Sequence, residues 1–215
     1  MPNERRRIPV QNLVLQALPP EVFAKLTPHL RPHLVGAGTI LFSLGEEIRS
    51  LYFPHSGVVS LATELSDGQI IEFAMTGRES VVGGSAFLGP REAMYRAVTR
   101  MEASVDTLNI DVARTIARDS AEFQAAIARH DQLVVAQAAQ IAACNATHHL
   151  EQRLARWLLR IRDVVGGDAF TTTQEFIAES IGVRRSSVSL EAAALQHAGL
   201  ISYRRGHIRI ERPEA

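Results

Sequence analysis

The sequence predicts an α+β fold in three parts: an antiparallel β-roll, one long helix, and a small helical unit closed by a β-hairpin. Three observations carry this. Nine of the 14 glycines lie between Gly36 and Gly89 and eight of the nine prolines at or before Pro90, whereas Arg91 to Val165 contains neither. Punctuated sequence with short alternating runs reads as strands and turns, and a breaker-free run rich in Ala, Leu, Arg and Gln reads as helix. Phe123, Ile127, His130, Val134, Gln137, Ile141 and Cys144 alternate steps of four and three, the spacing of a coiled-coil seam. Beyond Thr171 the pattern is helix, glycine, helix, then two short alternating runs around Arg204-Arg205-Gly206.

The chain has 215 residues, 46% of them apolar, with 23 basic and 23 acidic side chains. That length suits one or two domains, each able to bury a core, and excludes a disordered tail or a disulfide-knotted miniprotein. Because the formal charge is zero, any nucleic-acid surface has to be a local patch. The basic set is 22 Arg and Lys25; the arginine fork matches phosphates and guanine edges, although high-GC coding gives the same bias. A single cysteine, Cys144, forms no internal disulfide and builds no four-thiolate site. The basic Met1 to Arg7 is followed by Ile8, Pro9, Val10, Gln11 and Asn12, which interrupt the apolar stretch a signal peptide needs. No apolar run approaches the roughly 18 residues of a membrane span. The expectation is a cytoplasmic protein with no membrane contact and no metal or other cofactor.

The first part opens on a helical pattern, Pro20 to Leu30, with Val22, Phe23, Leu26 and Leu30 on one face. Strands are expected at Thr39 to Phe42, Ser50 to Phe53, Gly57 to Glu64, Ile70 to Met75 and Tyr95 to Asp106. Ser66-Asp67-Gly68 between two alternating runs is a hairpin signal, and strands at this spacing suggest a small antiparallel roll. In the long helix, so narrow a stripe needs a partner: a second copy of itself, or the helix's own roll. A further helix, His149 to Val165, carries Leu150, Leu154, Trp157, Leu158 and Ile161 and ends at Gly166-Gly167. The units so divided are 1–110, 111–147 and 148–215.

The segment TTTQEFIAESIGVRRSSVSLEAAAL, residues 171–195, carries the function. Thr172 and Glu175 have capping-box spacing; Phe176, Ile177 and Ile181 give an inner face; Gly182 closes the first helix; Val188, Ala192 and Leu195 continue the apolar face of a second. Leu200 to Tyr203 and His207 to Ile210 then form a hairpin wing. Arg184, Arg185, Ser186 and Ser187, with Ser189 further on, stand at the start of the second helix, where side chains reach base edges once such a helix enters a major groove. Thr173 and Gln174 at the first helix's N-terminus can hold a phosphate, and His207 lies on the wing. From Arg184 to Arg212 six Arg face only Glu191 and Glu211, so this end of a neutral chain is basic.

In TQEFIAESIGVRRSSV, LQHAGLISYRRGHIRI and LYFPHSGVVSLATELSDGQIIEFAMTGRESVVGG the chain resembles Crp/Fnr-type transcription regulators, over roughly residues 13–210. The resemblance implies a cyclic-nucleotide-binding-like jelly roll, a dimerisation helix (Phe123, Ile127, His130, Val134, Gln137, Ile141, Cys144) and a winged helix-turn-helix. It also implies a homodimer on double-stranded DNA bearing an inverted repeat, half-sites about 34 Å apart, and RNA polymerase as a further partner. An effector pocket would fall at Gly83, Gly84, Ser85 and Arg96. Family members that bind cyclic AMP carry a ribose-binding glutamate where this chain has Gly84, and Arg96 sits about two residues late for the phosphate and is followed by Ala97, so cyclic AMP should bind poorly. Lone Cys144 cannot supply an iron–sulfur cluster. His29 and His33, on one helical face, and His55 in a turn read as surface histidines, and Cys144, His148 and His149 as weak metal candidates. Ser186 and Leu190 replace the family's frequent reading pair, so its usual target sequence does not carry over.

Two readings follow: a homodimeric sequence-specific DNA-binding regulator with an unidentified small-molecule effector, or a ligand-binding module that controls a protein partner without touching DNA. An enzyme is not expected. The roll has no His-x-His, no Ser/His/Asp arrangement has supporting spacing, and no phosphate-cradling glycine loop is followed by Lys-Ser or Lys-Thr.

Overall fold

The computed structural model describes residues 10–214. Asn12 caps α1 (Leu13–Gln16) by accepting the Leu15 N–H, and Pro20 opens α2 (Pro20–Leu26), which tightens into a 3₁₀ turn at Thr27–His29. The expected helix to Leu30 stops there because Pro32 disfavours helical backbone in the residue before it. The chain runs straight into β1 (Arg31–Val35). His33 therefore lies on a strand, and His29 and His33 share no helical face, correcting that expectation.

The roll is made of two antiparallel sheets. Strand β1 pairs with β7 (Ala103–Asn109), which pairs with β3 (Ser50–Pro54); β2 (Ile40–Phe42), β6 (Arg96–Thr99), β4 (Val59–Glu64) and β5 (Ile70–Thr76) form the other. The single strand expected from Tyr95 to Asp106 is two, because the chain crosses at Arg100–Glu102 from one sheet to the other. The short helix α3 (Gly84–Leu88) joins β5 to β6. Phe42, Val59, Leu61, Ala74, Val82 and Ala97 fill the interior, and Tyr95 packs its ring against Phe42 and Phe73 at 5.6 and 5.4 Å.

After α4 (Ile110–Arg118) the chain breaks at Asp119 and Ser120, whose hydroxyl caps α5 (Ala121–Thr147). Phe123 and Ile127 lie in one core with Leu15, Leu26 and Leu51, and Phe123 stacks edge-on against Phe87 of α3 at 5.4 Å. His130 and Cys144 are buried, Val134 packs on the roll's interior cluster, and Gln137 accepts the Met75 N–H of β5 at 3.4 Å. The N-terminal part of the stripe read as a seam between two copies, Phe123 to Gln137, thus makes contacts within one chain. A four-three stripe marks a face that needs covering, and from Phe123 to Gln137 the roll and the short helices packed on it do so.

Helix α6 (Leu150–Val165) begins the third core. β8 (Ala169–Thr171), too short to leave a signal in the sequence, pairs with β10 (His207–Ile210), which pairs with β9 (Ile201–Arg204). Between them lie α7 (Gln174–Ile181) and α8 (Arg185–His197). Helix α7 starts one residue later than expected: Thr172 still donates its N–H to Gly206 O at 2.8 Å, so Thr173 becomes the cap and accepts from the Phe176 N–H at 3.1 Å. Roll residues Val58 and Met75 belong to the core of this unit, so α6 and α7 lie on the outer face of β4 and β5.

Candidate nucleic-acid interface

The apolar side of α8 is fully used: Val188, Ala192 and Leu195 are buried against α6 and α7. What remains outside is the side the sequence assigned to DNA. Arg184, the N-cap residue, and Arg185 and Ser186 in the first turn are exposed, and Ser187 is half-buried. The two arginines are free of ion pairs within 4.0 Å among the described residues. Gly182 takes φ +68°, a left-handed turn that swings α8 across α7. Val183 packs under that turn.

Three of the named residues are committed to holding this geometry. Thr173 caps α7, and Ser189 donates to Gln174 Oε1 at 2.6 Å, tying α8 to the first turn of α7. Thr173 remains exposed, whereas Ser189 and Gln174 are half-buried, and the Ser189 hydroxyl also lies 3.1 Å from the Arg185 carbonyl of its own helix. His207 is exposed on the wing with Nδ1 3.0 Å from Thr171 Oγ1. The wing turns at Arg205 and Gly206, with φ of 50° and 84°. This pair of positive values is the signature of a tight two-residue hairpin loop, and it leaves Arg204 and Arg205 exposed. Leu190 is also on the outer side, 70% exposed.

The residues named for an effector do not converge. The register aligns Arg96 with Ala62 and Ala62 with Glu72 on the sheet's outer face, whereas neighbouring Ala97, Leu61 and Ala74 point into the roll. Arg96 is close enough to Arg100 to disfavour its charge, while Gly83, Gly84 and Ser85 sit at the start of α3. At Gly84 a side chain would meet Asp131 of α5, whose Oδ1 lies 2.5 Å from where a Cβ would be. The place of the family's ribose carboxylate is filled from behind by another helix.

Several residues with structural consequence escaped the sequence reading. His55 is buried, not a surface turn residue: Nε2 meets Asp106 Oδ2 at 3.0 Å and Nδ1 accepts from the Gln11 and Asn12 N–H groups, clamping the N-terminal segment. Glu72 is buried between roll and α6, where Trp157 Nε1 donates to it at 3.2 Å. Burial pushes its carboxyl up to about 7, against the pull of Arg100, the Trp157 hydrogen bond and Arg156. Arg100 stacks on the Phe176 ring at 4.3 Å and pairs with Glu179 at 3.2 Å, and burial lowers its pKa. Arg160 bonds Glu79 and the Met75 carbonyl, each at 2.7 Å, and Arg153 donates to the Ile181 carbonyl. A single-chain pattern carries no signal for such long-range pairs. Among the described residues no group of three or more His, Cys, Asp or Glu is placed to hold a metal, and no helix is long and apolar enough to cross a membrane.

A β-roll joined through a long helix to a winged helix-turn-helix with an exposed arginine pair defines a two-part regulator of transcription. Comparison with known proteins agrees. Residues 152–215 match the Crp-like helix-turn-helix domain and residues 32–110 the cyclic nucleotide-binding domain. The transcriptional regulator LdrP of Thermus thermophilus is 31% identical over 187 residues, covering 78% of this chain and 87% of that one. The CRP-like cAMP-activated global transcriptional regulator of Mycobacterium tuberculosis is 25% identical over 195 residues, 87% of each. Among solved structures, a CRP-family transcriptional regulator from a second strain of Thermus thermophilus superposes with a TM-score of 0.71 at 25% identity, covering 84% of this chain and 92% of that one. The chain belongs to the Crp/Fnr-type transcription regulators, which bind DNA and are not enzymes.

Proposed function

We propose that this protein is a homodimer that binds an inverted repeat in promoter DNA through α8, works with RNA polymerase, and does not answer to cyclic AMP. The observation that carries the reading is the exposed Arg184, Arg185 and Ser186 turn on a helix whose opposite side is wholly buried. Arg185 grips a guanine edge with two hydrogen bonds, and Arg184 takes a phosphate or a second base. Ser187 and the wing's Arg205 and His207 hold the backbone, and Thr173 caps beside it.

The dimer contact is drawn from the other side of α5. Ala125, Ala128, Gln132, Val135, Ala139 and Ala142 also alternate steps of three and four. They are half-buried or exposed, Val135 68% so. Small side chains along such a line let two helices approach closely, and burying this face removes the exposed apolar surface from water. Cyclic AMP is set aside because Gly84 offers no ribose acceptor and Arg96 lies on the outer face.

Selection of bound duplexes from a random pool, with and without cell extract, tests the reading. The expected product is a two-fold symmetric site, bound with steep salt dependence. Recovery of asymmetric DNA, or no salt-dependent retention, refutes it and favours control of a protein partner.

A further inference from the structure

We propose that Leu190 reads a thymine methyl group in each half-site; this deepens the proposed function and rests on α8 entering the major groove. At about 100° per residue, Leu190 stands roughly 190° from the centre of the buried Val188, Ala192 and Leu195 face, diametrically outward. It is 70% exposed, the most exposed leucine but one, Leu34 at 71%, among the described residues. Its neighbours on that outer line are Ser186 one turn before and Ala193 and His197 after it, all exposed. A leucine there has nothing in its own fold to pack against.

The chemistry of the groove floor selects its partner. An isobutyl group neither donates nor accepts a hydrogen bond, so against guanine N7 and O6 or cytosine N4 it displaces water and returns nothing. The one apolar group a base pair presents in the major groove is the C5 methyl of thymine. Ser186, short and flanking, leaves the isobutyl group room to descend. Leu190 lies five residues beyond Arg185, roughly 7.5 Å along the helix axis. That is about two base-pair steps of roughly 3.4 Å. The half-site therefore carries a guanine for Arg185 and, two to three pairs away, a thymine whose recognition depends on its methyl group.

The test uses the full-length protein and the duplex selected from the random pool, in which the thymines of each half-site are replaced one at a time by deoxyuridine. Deoxyuridine keeps every hydrogen-bonding atom and removes only the methyl. At one thymine per half-site the loss should be about fourfold, the worth of one buried methyl, and about fifteenfold when both half-sites are changed. Leu190→Ala, on a surface position that leaves the thermal midpoint unchanged, should weaken the thymine duplex about tenfold per half-site and respond equally to thymine and deoxyuridine there. At the same position 5-methylcytosine should bind more tightly than cytosine. Indifference to deoxyuridine at every thymine, or a Leu190→Ala protein that keeps its thymine preference, overturns the proposal while DNA binding stands. Failure to retain any duplex overturns both.

Discussion

The winged unit and the roll hold their family-defining residues in opposite ways. On α8 the arginines and Ser186 point into solvent because Val188, Ala192 and Leu195 take the whole inner side. In the roll, Arg96 faces outward while Gly84 is overlaid by Asp131 and the interior is closed by Phe42, Phe73 and Tyr95. A binding surface on one helix face needs only that helix's inner side to be packed, whereas a pocket assembled from several strands is lost when one residue changes sides or a neighbouring helix fills the gap. The two regions meet at Glu72, Trp157, Arg100 and Arg160, so what happens at that seam reaches both.

The largest expected effect tests the seam. The Glu72 carboxyl, at about 7 in the fold against an ordinary 4.5, keeps a proton that the unfolded chain has released in between. Stability therefore falls as pH rises from about 4.5 to 7, by roughly 3 kcal/mol in total. Glu72→Gln retains an acceptor for Trp157 and should be the more stable protein above pH 7, with the difference shrinking toward pH 4.5 in thermal melts. An unchanged pH profile would mean that solvent reaches the carboxyl.

Gly77→Ala should come next, costing about 2 kcal/mol by overpacking. A Cβ there would lie 2.5 Å from Val164 Cγ1 of α6, and denaturant unfolding would register α6 being pushed off the roll. Arg185→Ala should cost a similar roughly 1–3 kcal/mol, but in DNA affinity alone, with relaxed preference at one base pair and an unaltered melting temperature. If affinity fell equally for all sequences and the salt slope flattened, Arg185 would be a phosphate contact. Thr173→Ala should cost about 1 kcal/mol of stability through loss of the α7 cap. Cyclic AMP sits at the bottom of the scale: added in excess, it should leave the thermal midpoint where it was, because a ligand that does not bind the native state cannot stabilise it. A concentration-dependent rise would show that the roll has an anion site reached by another route.

The parts legible in the sequence were those written by neighbours in the chain. Gly182 between two apolar-faced helices, Arg205-Gly206 between short alternating runs, and the hairpin around Gly68 depend on φ and ψ preferences a few residues wide. The four-three stripe from Phe123 to Cys144 was equally visible as a stripe, yet its partner was not, because periodicity says that a face is covered and not by what. His55 looked like a turn residue because Asp106 and Asn12, its partners, lie 51 and 43 positions away. Thr172 lost the cap to Thr173 through a bond to Gly206 across the wing.

By itself, then, the sequence determined the order of roll, long helix and winged motif, and the side chains α8 turns outward, since local propensity and apolar spacing are properties of short segments. Only the tertiary structure decided that α5 lies on its own roll, that Arg96 and Gly84 stand apart, and that Glu72 is buried under Trp157. Those outcomes turn on which strand faces pair and how closely two elements approach, quantities set by packing between residues far apart in the chain.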